Sequence, residues 1–158
     1  WHVTLPMWSL GTHEDQIFAQ SRTIVRSKST DTSDIVEAMK QRRTALSTGP
    51  IGDLAITFKA TSCGIGDTFM ARKNDILKMT YRGLCTEEFG SLMDVTVYTG
   101  NLETREETLL FHHSEMSDGF EIVQNFKVPG KSYLRLEISS DGSRWPGIYV
   151  SSPIWIEV

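Results

Sequence analysis

The sequence predicts a mainly β protein, a two-layer antiparallel sandwich with a short α/β tail on its N-terminal side. Three observations carry this. First, alternating or β-rich runs occupy residues 53–62, 76–82, 93–99, 107–112, 121–128, 133–139 and 148–158. Second, the runs are separated by Cys63-Gly64-Ile65-Gly66-Asp67, Arg82-Gly83, Thr99-Gly100-Asn101, Ser117-Asp118-Gly119, Pro129-Gly130 and Asp141-Gly142-Ser143. Gly admits positive φ there, and Asp, Asn and Ser bond to their own backbone, so these are turns with a mechanism. Third, Leu134, Leu136 and Ile138 alternate with Tyr133, Arg135 and Glu137. A period of two places the aliphatic set on the core face. Short strands at this spacing point to an immunoglobulin-like sandwich over 51–158.

One helix is predicted, near 33–43, in the first part of the chain. Thr32 or Ser33 is placed to cap it, and Asp34 and Glu37 lie in its first turns. Ile35, Val36, Ala38 and Met39 form its apolar stripe, and Lys40, Arg42 and Arg43 suit the negative end of the helix dipole. Ser47-Thr48-Gly49-Pro50 then breaks the pattern. The chain therefore divides into a tail, 1–50, and the sandwich, 51–158.

Composition narrows the function classes. A chain of 158 residues suits one ordinary domain and buries roughly 70% of its unfolded surface without needing disulfides. A net charge of −4 lacks the basic footprint of a nucleic-acid binder. Apolar runs are too short to span a membrane. Cys63 and Cys85 are compatible with a cross-strand disulfide or with two buried thiols. The start at Trp1-His2-Val3, with no Met or leader, reads as the interior of a longer polypeptide.

Several segments, in order, carry a resemblance: Gly11-Thr12-His13-Glu14-Asp15-Gln16, Arg22-Thr23-Ile24-Val25, the stretch 34–50 with Arg42-Arg43-Thr44 and Gly49-Pro50, residues 133–138, and Ser151-Ser152-Pro153-Ile154-Trp155-Ile156. Together they resemble the C-terminal part of bacterial PHP-family proteins, the polymerase and histidinol phosphatase family of metal-dependent phosphoesterases. In that pattern a helix, a basic pair, Thr, small residues and Gly-Pro lead into a β-sandwich with a Gly-x-Gly-Asp-like turn, filled here by Gly64-Ile65-Gly66-Asp67. The resemblance implies that residues 1–50 end a PHP-type barrel. It further implies that divalent metal ions belong to the parent protein, that the upstream catalytic barrel is the partner, and that the sandwich is non-catalytic by itself. The family's last ligand pair is Asp-x-His, whereas here His13 precedes Asp15.

Candidate residues follow from side-chain chemistry. His13 and Asp15 can share one face of a strand and are the metal candidates, as two members of an open site. The plainer reading is a polar loop. His112 and His113 point to opposite sides of a strand, so at most one joins any cluster. Arg42 and Arg43 are phosphate candidates because guanidinium forks suit oxyanions, although helix-end charge is the plainer explanation. Trp145 and Tyr149 are candidates for stacking on a glycan or a protein ligand; packing is the alternative. Trp155, between two Ile residues, is read as packing. There is no Gly-x-Ser-x-Gly elbow or phosphate-cradling P-loop, and Cys63 lacks a base beside it in the sequence.

These readings yield three expectations. The first is an accessory sandwich of a PHP-type phosphoesterase. The second is a carbohydrate- or protein-binding module of a surface or periplasmic protein. The third is a small metallohydrolase using His13 and Asp15.

Overall fold

A computed structural model describes residues 21–141 and 146–158. The first elements are β1 (Arg22–Val25), α1 (Thr32–Lys40) and β2 (Thr44–Ser47). β1 and β2 pair antiparallel, Arg22 opposite Ser47 and Val25 opposite Thr44, with α1 in the connection. Asp31, rather than Thr32 or Ser33, occupies the N-cap position, in extended conformation with φ −67° and ψ 140°. Its side chain makes no capping bond. Instead the Ser29 hydroxyl accepts from the Asp31 N–H at 3.1 Å and donates to the Asp34 carboxylate at 2.8 Å.

Two elements follow as a hairpin, β3 (Ile51–Phe58) and β4 (Thr61–Gly64), and then the short β5 (Thr68–Met70). β6 (Ile76–Leu84), β7 (Leu92–Asn101), β8 (Glu107–Ser114), β9 (Gly119–Lys127) and β10 (Ser132–Ser140) are longer. β11 (Gly147–Ser151) and β12 (Ile154–Glu157) complete the chain. Two of the expected runs resolve into more than one piece. The run 53–62 turns at Lys59, where φ is 54°, and 148–158 breaks at Ser152-Pro153.

The smaller sheet has the order β4-β3-β6-β9. The larger holds β1, β2, β11, β10, β7 and β8, with β12 and β5 also attached through β10. Pairing is antiparallel except between β12 and β5. The protein is thus mainly β, two sheets enclosing one core. β2 pairs with β11, so the strands before residue 50 and those after it share a sheet.

β10 lies at the centre of the larger sheet. One edge pairs along its length with β7. The other edge is divided: Glu137 to Ser140 face β11, and Ser132 to Leu134 face β12. From Leu134 to Glu137 β10 advances three residues, while the opposite chain advances four, from Val150 to Ile154. The mismatch is a bulge, and it leaves Leu136 without a ladder carbonyl there. The Ser151 hydroxyl fills that role, accepting the Leu136 N–H at 2.9 Å.

The core lies between the sheets. β10 contributes Leu134, Leu136 and Ile138, each no more than 1% exposed, on the face the alternation assigns them. Opposite them stand Leu54 and Ile56 of β3 and Leu77, Met79 and Tyr81 of β6, all fully buried. Each such side chain removed from water contributes about 1.5–3 kcal/mol. The polar set faces outward, where Arg135 donates from Nε to Glu107 at 2.8 Å and also reaches Glu137. Tyr133 donates to Glu107 at 2.6 Å. The Arg135 bond, reinforced by that of Tyr133, holds the Glu107 carboxyl below its usual range against a smaller opposing effect of burial.

Two outcomes are expected. Leu136→Ala removes a fully enclosed side chain and lowers unfolding stability by about 2–5 kcal/mol, measured by urea denaturation. Glu107 has a folded pKa below its unfolded one. Its contribution is therefore present above the ordinary Glu range and is lost as pH falls through the lowered value. Stability curves of Glu107→Gln and the parent should separate at neutral pH and converge toward strongly acidic pH. Parallel curves would contradict this.

Candidate functional site

The stretch that ends α1 sets up the junction. The Gln41 N–H bonds to Glu37 and the Arg42 N–H to Met39, at 2.9 and 3.0 Å. The Arg43 N–H reaches back to the Ala38 carbonyl at 2.9 Å. These bonds close the helix with a left-handed residue just past its end, a position usually held by Gly. Here it is Arg42, with φ 59°. The left-handed turn sends the two arginines apart: Arg42 is exposed, whereas Arg43 is half-buried against the sandwich.

Arg43 meets Asp67, the last residue of the Gly-x-Gly-Asp turn. Its Nε donates to Oδ1 at 2.8 Å. The other carboxylate oxygen accepts the Gly64 N–H at 2.9 Å, and the Asp67 N–H returns to the Gly64 carbonyl at 3.0 Å. The Asp67 carbonyl accepts the Trp155 N–H at 2.9 Å, and the Gly66 N–H donates to Pro153 at 3.0 Å. Gly66 has φ +83°, and a Cβ there would stand 2.5 Å from the Arg42 carbonyl oxygen, so the position requires Gly. Across the break after β11, the Ser152 N–H donates to Thr44 at 2.9 Å. The basic pair and Thr, the Gly-x-Gly-Asp turn and the Ser-Pro-Ile-Trp segment, far apart in sequence, therefore meet in one clasp.

Beside the clasp, β1 and one end of the smaller sheet border an open cleft of about 570 Å³. Ile24, Ile51, Leu84 and Phe120 give it an apolar lining. Its charges form a chain: Asp53 accepts from Arg82 at 2.9 Å and lies 3.7 Å from Arg26. Asp53 and Arg82 are cross-strand partners in the β3–β6 register. Neither Arg26 nor Asp53 stood out in the sequence. Only strand register and the docking of β1 bring them together.

The structure places the predicted residues as follows. His13, Asp15 and Trp145 lie outside the described residues. Tyr149 is fully buried, so it is unavailable for stacking on an exposed glycan. Its ring fills the space over Gly52, where a Cβ would come within 2.8 Å of Cε1. Its hydroxyl has no hydrogen-bond partner among the described residues, and burial, with the nearby Asp53 charge, pushes its pKa up. The phosphate candidates separate, and Arg43 is already paired with Asp67.

His112 and His113 diverge. His113 Nε2 lies 2.8 Å from the hydroxyl of buried Tyr81, whose pKa burial pushes up to about 12. His112 is exposed, with Nδ1 3.3 Å from the Thr96 hydroxyl and Nε2 3.5 Å from Asp94. Cys63 and Cys85 are free thiols, and burial is the largest cause raising the pKa of each. Among the described residues no three His, Cys, Asp or Glu side chains gather as a metal site. No helix of the described residues is long and apolar enough to cross a membrane.

The clasp predicts a contrast between neighbouring positions. Asp67→Ala strands the half-buried Arg43 guanidinium and the Gly64 N–H, at a cost of about 1–3 kcal/mol. Arg42→Gly relieves a left-handed backbone and raises stability by up to about 1 kcal/mol. Chemical denaturation of the two variants checks the pair; equal effects of one sign would contradict the assignment.

No protein-family model matches the chain, and no curated protein shows significant similarity to it.

Proposed function

We propose that the chain is a non-catalytic accessory β-sandwich, immunoglobulin-like in kind, of a PHP-type metal-dependent phosphoesterase. In this reading it is held in fixed geometry to a catalytic barrel in the same polypeptide, and the divalent ions belong to that barrel. The supporting observation is the clasp. Three of the segments that carry the resemblance, at 42–44, 64–67 and 151–156, are tied together by Asp67, Gly66 and Ser152, at 2.8 to 3.0 Å.

A second feature supports a neighbour on the helix side. Within α1 only Ala38 is buried, while Val36 and Met39 are 43% and 49% exposed. An amphipathic helix is stabilised mainly by burying its apolar face. This one presents half of that face outward, beside strands fixed to the sandwich. In the proposed arrangement the upstream barrel covers it. A rigid attachment of this kind positions an accessory layer against a catalytic mouth without a flexible linker between them.

The test is a pair of hydrolysis assays on p-nitrophenyl phosphate with Mn²⁺ or Zn²⁺ supplied. The chain alone should leave the ester intact. The intact polypeptide that carries it should hydrolyse the ester in a metal-dependent way and slow when Asp67→Ala loosens the clasp. Metal-dependent turnover by the chain alone, abolished by His13→Ala with Asp15→Ala, would instead favour a self-contained metallohydrolase. An intact polypeptide without phosphoesterase activity would also defeat the proposal.

A further inference from the structure

A second, polar pocket of about 240 Å³ opens on the outer side of the clasp. It is built from three stretches that the fold brings together. The chain leaving β1 supplies Arg26, Ser27 and Lys28, the chain entering β2 supplies Arg43, and the edge hairpin strand β4 supplies Ser62 and the Gly64 backbone. Asp67 is its one acidic member, and that carboxylate is engaged by Arg43 and the Gly64 N–H. The pocket therefore keeps a positive excess in a chain whose overall charge is −4.

The cations are arranged by the backbone. The Arg26 N–H bonds to the Arg43 carbonyl at 2.8 Å, which fixes the two strand ends side by side. The Arg26 guanidinium then lies against Gly64 so closely that a Cβ there would stand 1.1 Å from its Nη1. Its nearest carboxylate, Asp53, is 3.7 Å away, too long for a hydrogen bond, so guanidinium N–H groups remain to donate. Lys28 is exposed and has no carboxylate within salt-bridge distance among the described residues. The Ser27 hydroxyl is buried in the same wall with no hydrogen-bond partner.

The geometry points to a binding site for a small tetrahedral oxyanion, a phosphate or sulfate group, held by the Arg26 guanidinium, the Lys28 ammonium and the neighbouring Ser62 hydroxyl. A planar fork beside a point charge suits such an ion, because charge-assisted hydrogen bonds are shorter and stronger than neutral ones. Gly64 is the positioning residue. It holds no ligand, but its missing side chain is the space in which the Arg26 head lies. The site uses only residues of this chain and does not depend on the accessory-module reading.

The test is a two-dimensional NMR titration of the whole chain with inorganic phosphate at constant ionic strength, chloride making up the difference. Saturable shifts are expected at the amides of 26–28 and 62–64, with sulfate competing and acetate failing to compete. Lys28→Gln, a change at an exposed position, should weaken binding about tenfold, the usual effect of losing one charge-assisted bond. Gly64→Ala should weaken it by a similar factor by displacing the Arg26 head while leaving every charge in the protein. That second variant separates a built site from general electrostatic attraction, which it would not alter. Non-saturating shifts, or affinity unchanged in both variants with spectra elsewhere intact, would overturn the site. Equal competition by acetate would overturn its tetrahedral specificity.

Discussion

The Asp67 carboxylate is the contact on which the junction depends. One oxygen takes the Arg43 guanidinium and the other the Gly64 N–H, so a single side chain fixes the end of the helical segment and the turn that follows β4, the smaller sheet's edge strand. Arg43 and Asp67 are 28% and 23% exposed. Partial burial makes losing either partner costly, since the survivor would retain an uncompensated charge with few waters around it. The same residue passes its carbonyl to Trp155, which secures the last strand. An ion pair on the open surface would contribute little. This one matters because several backbone paths end on it.

A second constraint lets those paths converge. The chain opposite β10 contains one residue too many, and the Ser151 hydroxyl covers the resulting gap at Leu136. The bulge divides one edge of β10 between two short strands. β11 leads outward to β2 and β1, and β12 leads to β5. Between these branches the Ser152 N–H donates to the Thr44 carbonyl at 2.9 Å and the Gly66 N–H to the Pro153 carbonyl at 3.0 Å. The clasp is therefore a product of sheet geometry as much as of charge.

The sequence was most legible where a local period repeats. Leu134, Leu136 and Ile138 alternate with polar neighbours, and one register satisfies them. It was least legible where the deciding partner is distant. Nothing near Arg43 announces Asp67, and nothing near Asp53 announces Arg26. The hairpin between β3 and β4 was hidden because Lys59 holds φ 54° without being Gly, Asn or Asp. Tyr149, a stacking candidate with packing as the alternative, is packed in the core, and its place was hard to read for a related reason. Ile148 and Tyr149 must face opposite ways, and local hydrophobicity favours burying Ile. The structure does the reverse, with Ile148 51% exposed and Tyr149 fully buried. The space over Gly52 on the facing sheet is shared by the Tyr149 ring and the tip of Ile138, so burial of Tyr149 there depends on a missing side chain across the core.

The central claim is that the segment carrying α1 is part of the sandwich's cooperative structure and not a tether attached to it. Native-state hydrogen exchange on the unmodified chain measures this directly, because amides that open only with global unfolding report membership in the core unit. The account predicts that β2 amides paired with Tyr149 and Ser151 exchange with the same free energy as those of β10. Exchange of β2 through a separate low-energy opening, while β10 remains protected, would contradict it.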